Sequence, residues 1–403
     1  MRKNLKPNIE YAEIFWTYWS VYCVIASFSS VFLLANGYTN TEIGTMIAVG
    51  NLVSVAIQPV LASVADRSRR FGVFPVSVLV TVVVMLFEAV TLILSGRNFL
   101  LSAAYVLMFA FQASLQPLLN SMEAKLARRG IDVDYGICRA MGSLGYSVMS
   151  ALLGVLVVSA GVRALPVAGE SCLLLLLGGL LLLGGRFRKA GSTSSVDSPD
   201  TKEKGSISMG EFIRRHRVFL VINIGILLIF YDHQIINFFM LQIFQNVGGD
   251  SGNMGHYYSI MTILELIPLL GFTWLTKRFR SSFLLKVATI GFVLRGILML
   301  LAHTSTAMML TLVVHPFGFP LFLPAVVRYI NEIMDEREAV RGQSLYVIMI
   351  TVSAVAASFS GGVILDTLGA GALLWICAVT CVIGAVIILP LLDRAKTDST
   401  KTL

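Results

Sequence analysis

Long apolar runs recur along this chain at residues 10–35, 42–64, 73–95, 99–124, 136–161, 164–185, 218–246, 255–276, 283–302, 305–331, 341–365 and 370–392. Each approaches or exceeds the ~20 apolar residues that an α-helix needs to cross a bilayer core. The runs lack the short strict alternation of a membrane β-barrel. In hydrocarbon, a helix is the open structure that satisfies its own backbone groups. The pattern predicts an all-α membrane protein of twelve transmembrane helices.

Basic residues punctuate the runs unevenly. The even-numbered connections hold Arg67, Arg69 and Arg70, then Lys125, Arg128 and Arg129, then a cluster from Arg186 to Arg217, then Lys277, Arg278 and Arg280, and finally Arg328, Arg337 and Arg341. The odd-numbered connections hold just Arg97 and Arg163. Because cytoplasmic loops collect Lys and Arg, this asymmetry puts the even connections and both basic termini in the cytoplasm. The start, Met1 to Pro7, mimics a signal peptide, but the run behind it is long and has no small-residue cleavage pattern, so it reads as a retained first span. Between spans six and seven, Ala190 to Lys204 has the composition of a solvated linker. The expected organisation is a six-helix half at 1–186, a cytoplasmic linker at 187–217 and a second six-helix half at 218–403. Residues 207–217 suit a short amphipathic helix on the membrane surface. Ala65-Asp66-Arg67 after span two and Thr276-Lys277-Arg278 after span eight sit at equivalent places in the halves, as parallel repeats of a transporter would.

Composition narrows the function. Of 403 residues, 56% are hydrophobic and 13% charged, against about 25% charged in soluble domains. Soluble enzymes, disulfide scaffolds and disordered chains are excluded. The net charge of +8 follows from basic loops and shows no base-reading face, so no nucleic-acid partner is expected. The five cysteines, Cys23, Cys138, Cys172, Cys377 and Cys381, lie scattered in apolar runs and read as buried thiols with no metal or disulfide role. No nucleophile–base set, phosphate loop or metal spacing occurs, so neither enzymatic activity nor a cofactor is expected.

Charges inside spans are costly and usually face a cavity or a partner. The deep candidates are Glu88, Glu123, Arg139, Asp232, Glu265, Arg295 and His315. Arg139 and Glu123 lie near enough to the cytoplasmic side to snorkel, and Glu88 has no partner visible in the sequence. Asp232, Glu265 and Arg295 sit well inside their spans, where pairing for structure is the alternative to substrate contact. In span ten, Pro316, Pro320 and Pro324 each remove a helical hydrogen bond, so a kinked or broken helix is expected beside His315. Aromatics crowd span one (Tyr11, Phe15, Trp16, Tyr18, Trp19, Tyr22).

These residues resemble a known family. The chain looks like a major facilitator superfamily transporter, most similar to the oligosaccharide/proton symporters typified by lactose permease. Ser54-Val-Ala-Ile-Gln58-Pro59 leading into Ala65-Asp66-Arg67 resembles that family's second span and loop. Gly136-Ile-Cys-Arg139-Ala-Met-Gly142-Ser-Leu-Gly145-Tyr146 resembles its fifth, and Asp232-His-Gln234-Ile-Ile-Asn237-Phe238-Phe239 its seventh. Leu264-Glu265-Leu266, Arg295 and His315-Pro-Phe317-Gly-Phe-Pro320 are similar to the eighth, ninth and tenth. The resemblance implies that Arg139 and Glu265 bind substrate hydroxyls and that Tyr146 stacks on a sugar ring. It also implies that His315 links substrate to proton, that Arg295 tunes the coupling acid, and that Asp66, Arg67 and Arg70 form a conformational gate.

Departures from the family are equally specific. Asn120 stands at the fourth-span sugar-binding glutamate, with Glu123 the choice of a gapped alignment. Pro268 replaces a substrate-binding asparagine. Gly318 stands where the family carries its proton on a glutamate, and Leu312 replaces the lysine partner of the aspartate matched by Asp232. Asp232 is then the substitute coupling acid. The expected function is uptake of a sugar or glycoside with protons by a monomer in the lipid of a bacterial inner membrane. A facilitator, an importer of another polar solute such as a nucleoside or aromatic acid, drug efflux, and a non-transporting receptor stand as alternatives.

Overall fold

A computed structural model describes residues 5–67, 72–190 and 209–401, and among these it is all-helical with no strand. Arg69 and Arg70, and residues 191–208 of the expected linker, lie outside the described residues. The helices are α1 (Leu5–Tyr22), α2 (Ser29–Ala35), α3 (Asn40–Arg67), α4 (Val73–Ile93), α5 (Phe99–Ala127), α6 (Tyr135–Ala160) and α7 (Ala164–Lys189). After them come α8 (Met209–Arg215), α9 (Arg217–Asn246), α10 (Ser251–Arg278), α11 (Ser281–Leu301), α12 (Ser305–Leu310), α13 (Phe319–Ile333), α14 (Glu336–Thr367) and α15 (Gly369–Lys401). Eleven helices among the described residues are long and apolar enough to cross a membrane, and the bent pair Leu5–Ser27 and Ser29–Ala35 makes a twelfth span.

Two spans are irregular. The first bends by 45° where a fully buried π-helical turn, Cys23–Ser27, separates α1 from α2. Such single-turn bulges insert one extra residue and commonly mark functional positions. The tenth is broken: α12 passes into a 3-10 turn, Thr311–Phe317, which ends at Gly318 before α13 begins. Pro316 cannot donate within this turn, while Pro320 sits in the first turn of α13, where a missing N–H is harmless. The expected disruption of span ten is thus a 3-10 segment carrying His315.

The described chain divides into two compact units, Met1–Asp197 with Asp250–Thr262 and Ser198–Gly249 with Ile263–Leu403. In the first, α1 packs on α6 and α7, while α5 packs on α3 and α4. Small residues permit the closest approach: a Cβ at Gly145 would lie 2.5 Å from the Trp16 carbonyl oxygen. In the second unit, α9 packs against α14 and α15, and α11 against α13 and α15. Its core is aromatic, with Phe230 meeting Phe292, Phe322 and Tyr346 at 5.6–6.2 Å between ring centroids. The short helix α8 falls within the segment expected to lie on the membrane surface. At its C-terminal end, Arg215 Nη1 and the following His216 Nε2 each reach the buried Glu338 carboxylate at 3.0 Å.

Candidate substrate and coupling site

Four of the candidate residues meet in the second unit. On α9, Asp232 is buried and its Oδ2 accepts a 2.8 Å hydrogen bond from Arg295 Nη2 of α11. Arg295 Nη1 lies 3.3 Å from His315 Nδ1, and His315 Nε2 lies 3.3 Å from Glu265 Oε1 of α10. The result is a continuous polar chain, Asp232–Arg295–His315–Glu265, drawn from four spans. Both partners of its ion pair are 2% exposed at the side chain, whereas Glu265 keeps 17%. One end is therefore sealed and the other reaches an accessible surface.

Local packing explains how His315 is brought to Arg295. Gly291 lies one helical turn before Arg295, and a Cβ there would overlap the Phe317 carbonyl. A bare backbone at this point lets α11 lie directly on the 3-10 turn, two residues beyond His315. Arg295 is further held over the Phe292 ring, 5.5 Å from its centroid, a cation–π contact. Cys381 of α15 is buried close to Asp232.

Hydrogen-bond logic assigns the protons. A guanidinium has five donors and no acceptor. His315 Nδ1 must then accept from Arg295, which leaves Nε2 carrying the hydrogen that it donates to Glu265. The imidazole is neutral in this tautomer, and its orientation is set from both sides. Glu265 and Asp232 are thereby joined through two intervening side chains. The lysine partner missing at Leu312 is supplied from another span, by Arg295.

The first unit holds the remaining candidates. Arg139 of α6 places its guanidinium carbon 4.4 Å from the centroid of the Trp19 ring on α1. Tyr146 is buried, and its hydroxyl is 2.7 Å from Ser27 Oγ in the π-helical turn. Its polar end is committed to the protein in this conformation. Asn120 Oδ1 accepts from Tyr135 Oη at 3.2 Å. Glu123, half-buried, lies within electrostatic reach of Tyr11 and Tyr135. At the expected gate, Asp66 in the last turn of α3 takes a 2.7 Å ion pair from Lys125 of α5. Arg67 closes α3, and Arg70 lies outside the described residues.

Two kinds of residue escaped the sequence reading. His233 is buried and stacks on Phe319 at 4.0 Å with 16° between the rings. Its place directly after Asp232 was the available signal. Glu170 of α7 has a buried carboxylate oxygen, Oε2, with no partner. All five cysteines are free and buried. Among the described residues, no cluster of three or more His, Cys, Asp or Glu could hold a metal ion.

Residues 9–396 match the family described as "MFS_1 like family". No curated protein matches the chain. Among solved structures, a mutant of the nucleoside transporter NupG superposes with a TM-score of 0.78 at 12% identity, over 96% of this chain and 99% of its own. A mutant of the peptide transporter POT gives 0.72 at 12% identity, over 96% and 94%. A bacterial homolog of the human lysosomal transporter Spinster, inward-facing and unoccupied, gives 0.65 at 14%, over 98% and 96%. At these identities the likeness is one of fold.

Proposed function

The chain belongs to the MFS_1 like family, a multi-pass membrane transporter by fold and kinship, and from that premise we propose that it takes up a sugar or glycoside together with protons by alternating access. The supporting observation is the polar chain from buried Asp232 to accessible Glu265. In the second unit Glu265 accepts from substrate hydroxyls; in the first, Arg139 donates to hydroxyls, with Tyr146, Asn120 and Glu123 as its further recognition residues. A carboxylate and a guanidinium are suited to vicinal hydroxyls because one only accepts and the other only donates.

Coupling follows from competition along the chain. A substrate hydroxyl at Glu265 displaces the His315 Nε2–H, so His315 can turn and release the Arg295 donor. A proton arriving on Asp232 weakens its pair with Arg295 from the other end. Binding and protonation thus act on the same two side chains, which is the differential contact that a coupled transporter requires. Asp66, with Arg67 and Arg70, gates the cytoplasmic side. The protein works as a monomer with both termini in the cytoplasm of a bacterial inner membrane.

The test is a thermal-shift screen of purified protein against sugars, glycosides, nucleosides and organic acids. A ligand at about 100 times its Kd stabilises the folded state by about 2.7 kcal/mol. A glycoside hit that Glu265→Gln and Arg139→Gln each abolish is expected. A hit confined to nucleosides or organic acids overturns the sugar reading. In proteoliposomes the hit should move protons inward in the parent and not in Asp232→Asn. Substrate flux without proton flux in the parent makes the protein a facilitator and Asp232 structural.

A further inference from the structure

A second buried acid lies in the first unit, remote in sequence from the polar chain of the second. Glu88 of α4 is 2% exposed, and its Oε2 has no hydrogen-bond partner. The side chain lines a small cavity whose other walls include Val24, Ile25, Met108, Leu165 and Pro166. Helix α7 is shaped around the carboxyl group: a Cβ at Gly169 would overlap Glu88 Oε1. The next residue on α7 is Glu170, whose own Oε2 is buried and without a partner, and which acts on Glu88 as a like charge.

Among the described residues, no cation pairs with either acid. The titratable groups facing Glu88 from the packed helices are Glu170 of α7 and Tyr105 of α5. Tyr105 spends its hydroxyl hydrogen on the Ile25 carbonyl at 2.6 Å. The π-helical turn adds apolar Val24 and Ile25, and among the described residues no Lys, Arg or His lines the cavity. An ionised carboxylate without counter-charge or hydrogen bonds in a membrane interior is among the costliest arrangements a protein can hold. A neighbouring carboxyl group makes that cost larger. A space cleared by a glycine around a carboxyl group, beside a cavity of about one water's size, fits a group that gains and loses a proton.

We propose that Glu88 is a proton-binding site, with Glu170 as the neighbouring carboxyl that sets how readily the proton leaves. The ligand is the proton itself, exchanged through the cavity between α4, α5 and α7. This site is independent of the sugar reading and of Asp232, and it holds its proton whatever substrate the protein carries.

The parent protein in detergent is treated with a hydrophobic carbodiimide, which adds to protonated buried carboxyl groups, and Glu88 modification is read by peptide mass spectrometry. Labelling that falls severalfold as pH rises is expected. Absent or pH-independent labelling overturns the proposal, and so does labelling suppressed by sodium at constant pH, which would identify a metal cation instead. Infrared difference spectra between acid and alkaline buffer supply the second readout. The carbonyl band of a protonated carboxyl group should be lost in Glu88→Gln and displaced in frequency in Glu170→Gln. An identical band in Glu88→Gln also overturns the proposal. Neither readout uses substrate, so failure here leaves the transport reading untouched, and failure of the screen above leaves this site intact.

Discussion

Asp232→Asn removes a charge from the most deeply buried ion pair of the second unit while preserving shape. In the parent, Arg295 and Asp232 are each 2% exposed at the side chain and joined at 2.8 Å. The variant strands a guanidinium that has no route to neutrality. Breaking a buried pair by deleting one partner costs about 3–5 kcal/mol. For a unit of roughly 200 residues each kcal/mol lowers Tm by ~2–4 °C, so a fall of about 6–20 °C is expected, toward the lower end because Asn keeps one acceptor. Arg295→Met should be milder and should improve as pH falls, because a stranded carboxylate can take a proton and a stranded guanidinium cannot lose one. Asp232→Asn with Arg295→Met removes both charges and should recover most of the loss. The assay is heating in detergent with a thiol-reactive fluorogenic dye, which reports unfolding here because all five cysteines are buried. The reasoning fails if Asp232→Asn melts within ~2 °C of the parent, or if the double variant falls by the sum of the singles.

Gly291→Ala drives a methyl group into the Phe317 carbonyl; overpacking of this kind costs ~1–3 kcal/mol, so a lowered Tm and weaker substrate binding through displaced His315 are expected, and an unchanged Tm would show that the contact is slack. Asp66→Asn breaks an ion pair whose acid is 70% exposed, so stability should move by less than ~1 kcal/mol while uptake slows; unaltered uptake kinetics would leave the loop as a topology signal alone.

The membrane architecture was legible because bilayer thickness acts on every span separately: each crossing must be apolar over its own length, whatever it packs against. The break in span ten was legible for a similar reason, since Pro316, Pro320 and Pro324 act on their own helix. Its form was not, because the 3-10 turn depends on the close approach of Gly291 from another helix. The bend at Cys23–Ser27 has no proline to announce it, and its five residues are all buried. Asp232, Arg295, His315 and Glu265 stood out singly as polar residues in apolar runs. Their order in one chain did not, because the contacts join positions 63, 20 and 50 residues apart. Glu170 was passed over because it lies within two turns of the start of its helix, where a carboxylate normally reaches the interface; the partnerless oxygen became visible in the folded structure.

The 3-10 turn also makes the tenth span a ruler. Seven residues, Thr311–Phe317, adopt it; at ~2.0 Å rise they extend about 14 Å, against about 10.5 Å for the same residues as α-helix. The span thus carries roughly 3.5 Å of extra length, and each residue turns about 120° instead of about 100° around the axis. His315 is the fifth residue of the seven, so winding them into α-helix would swing it about 100° relative to α12. Length and direction are one variable in this segment. Any such rewinding that draws the ends of the span together also swings the imidazole away from Arg295.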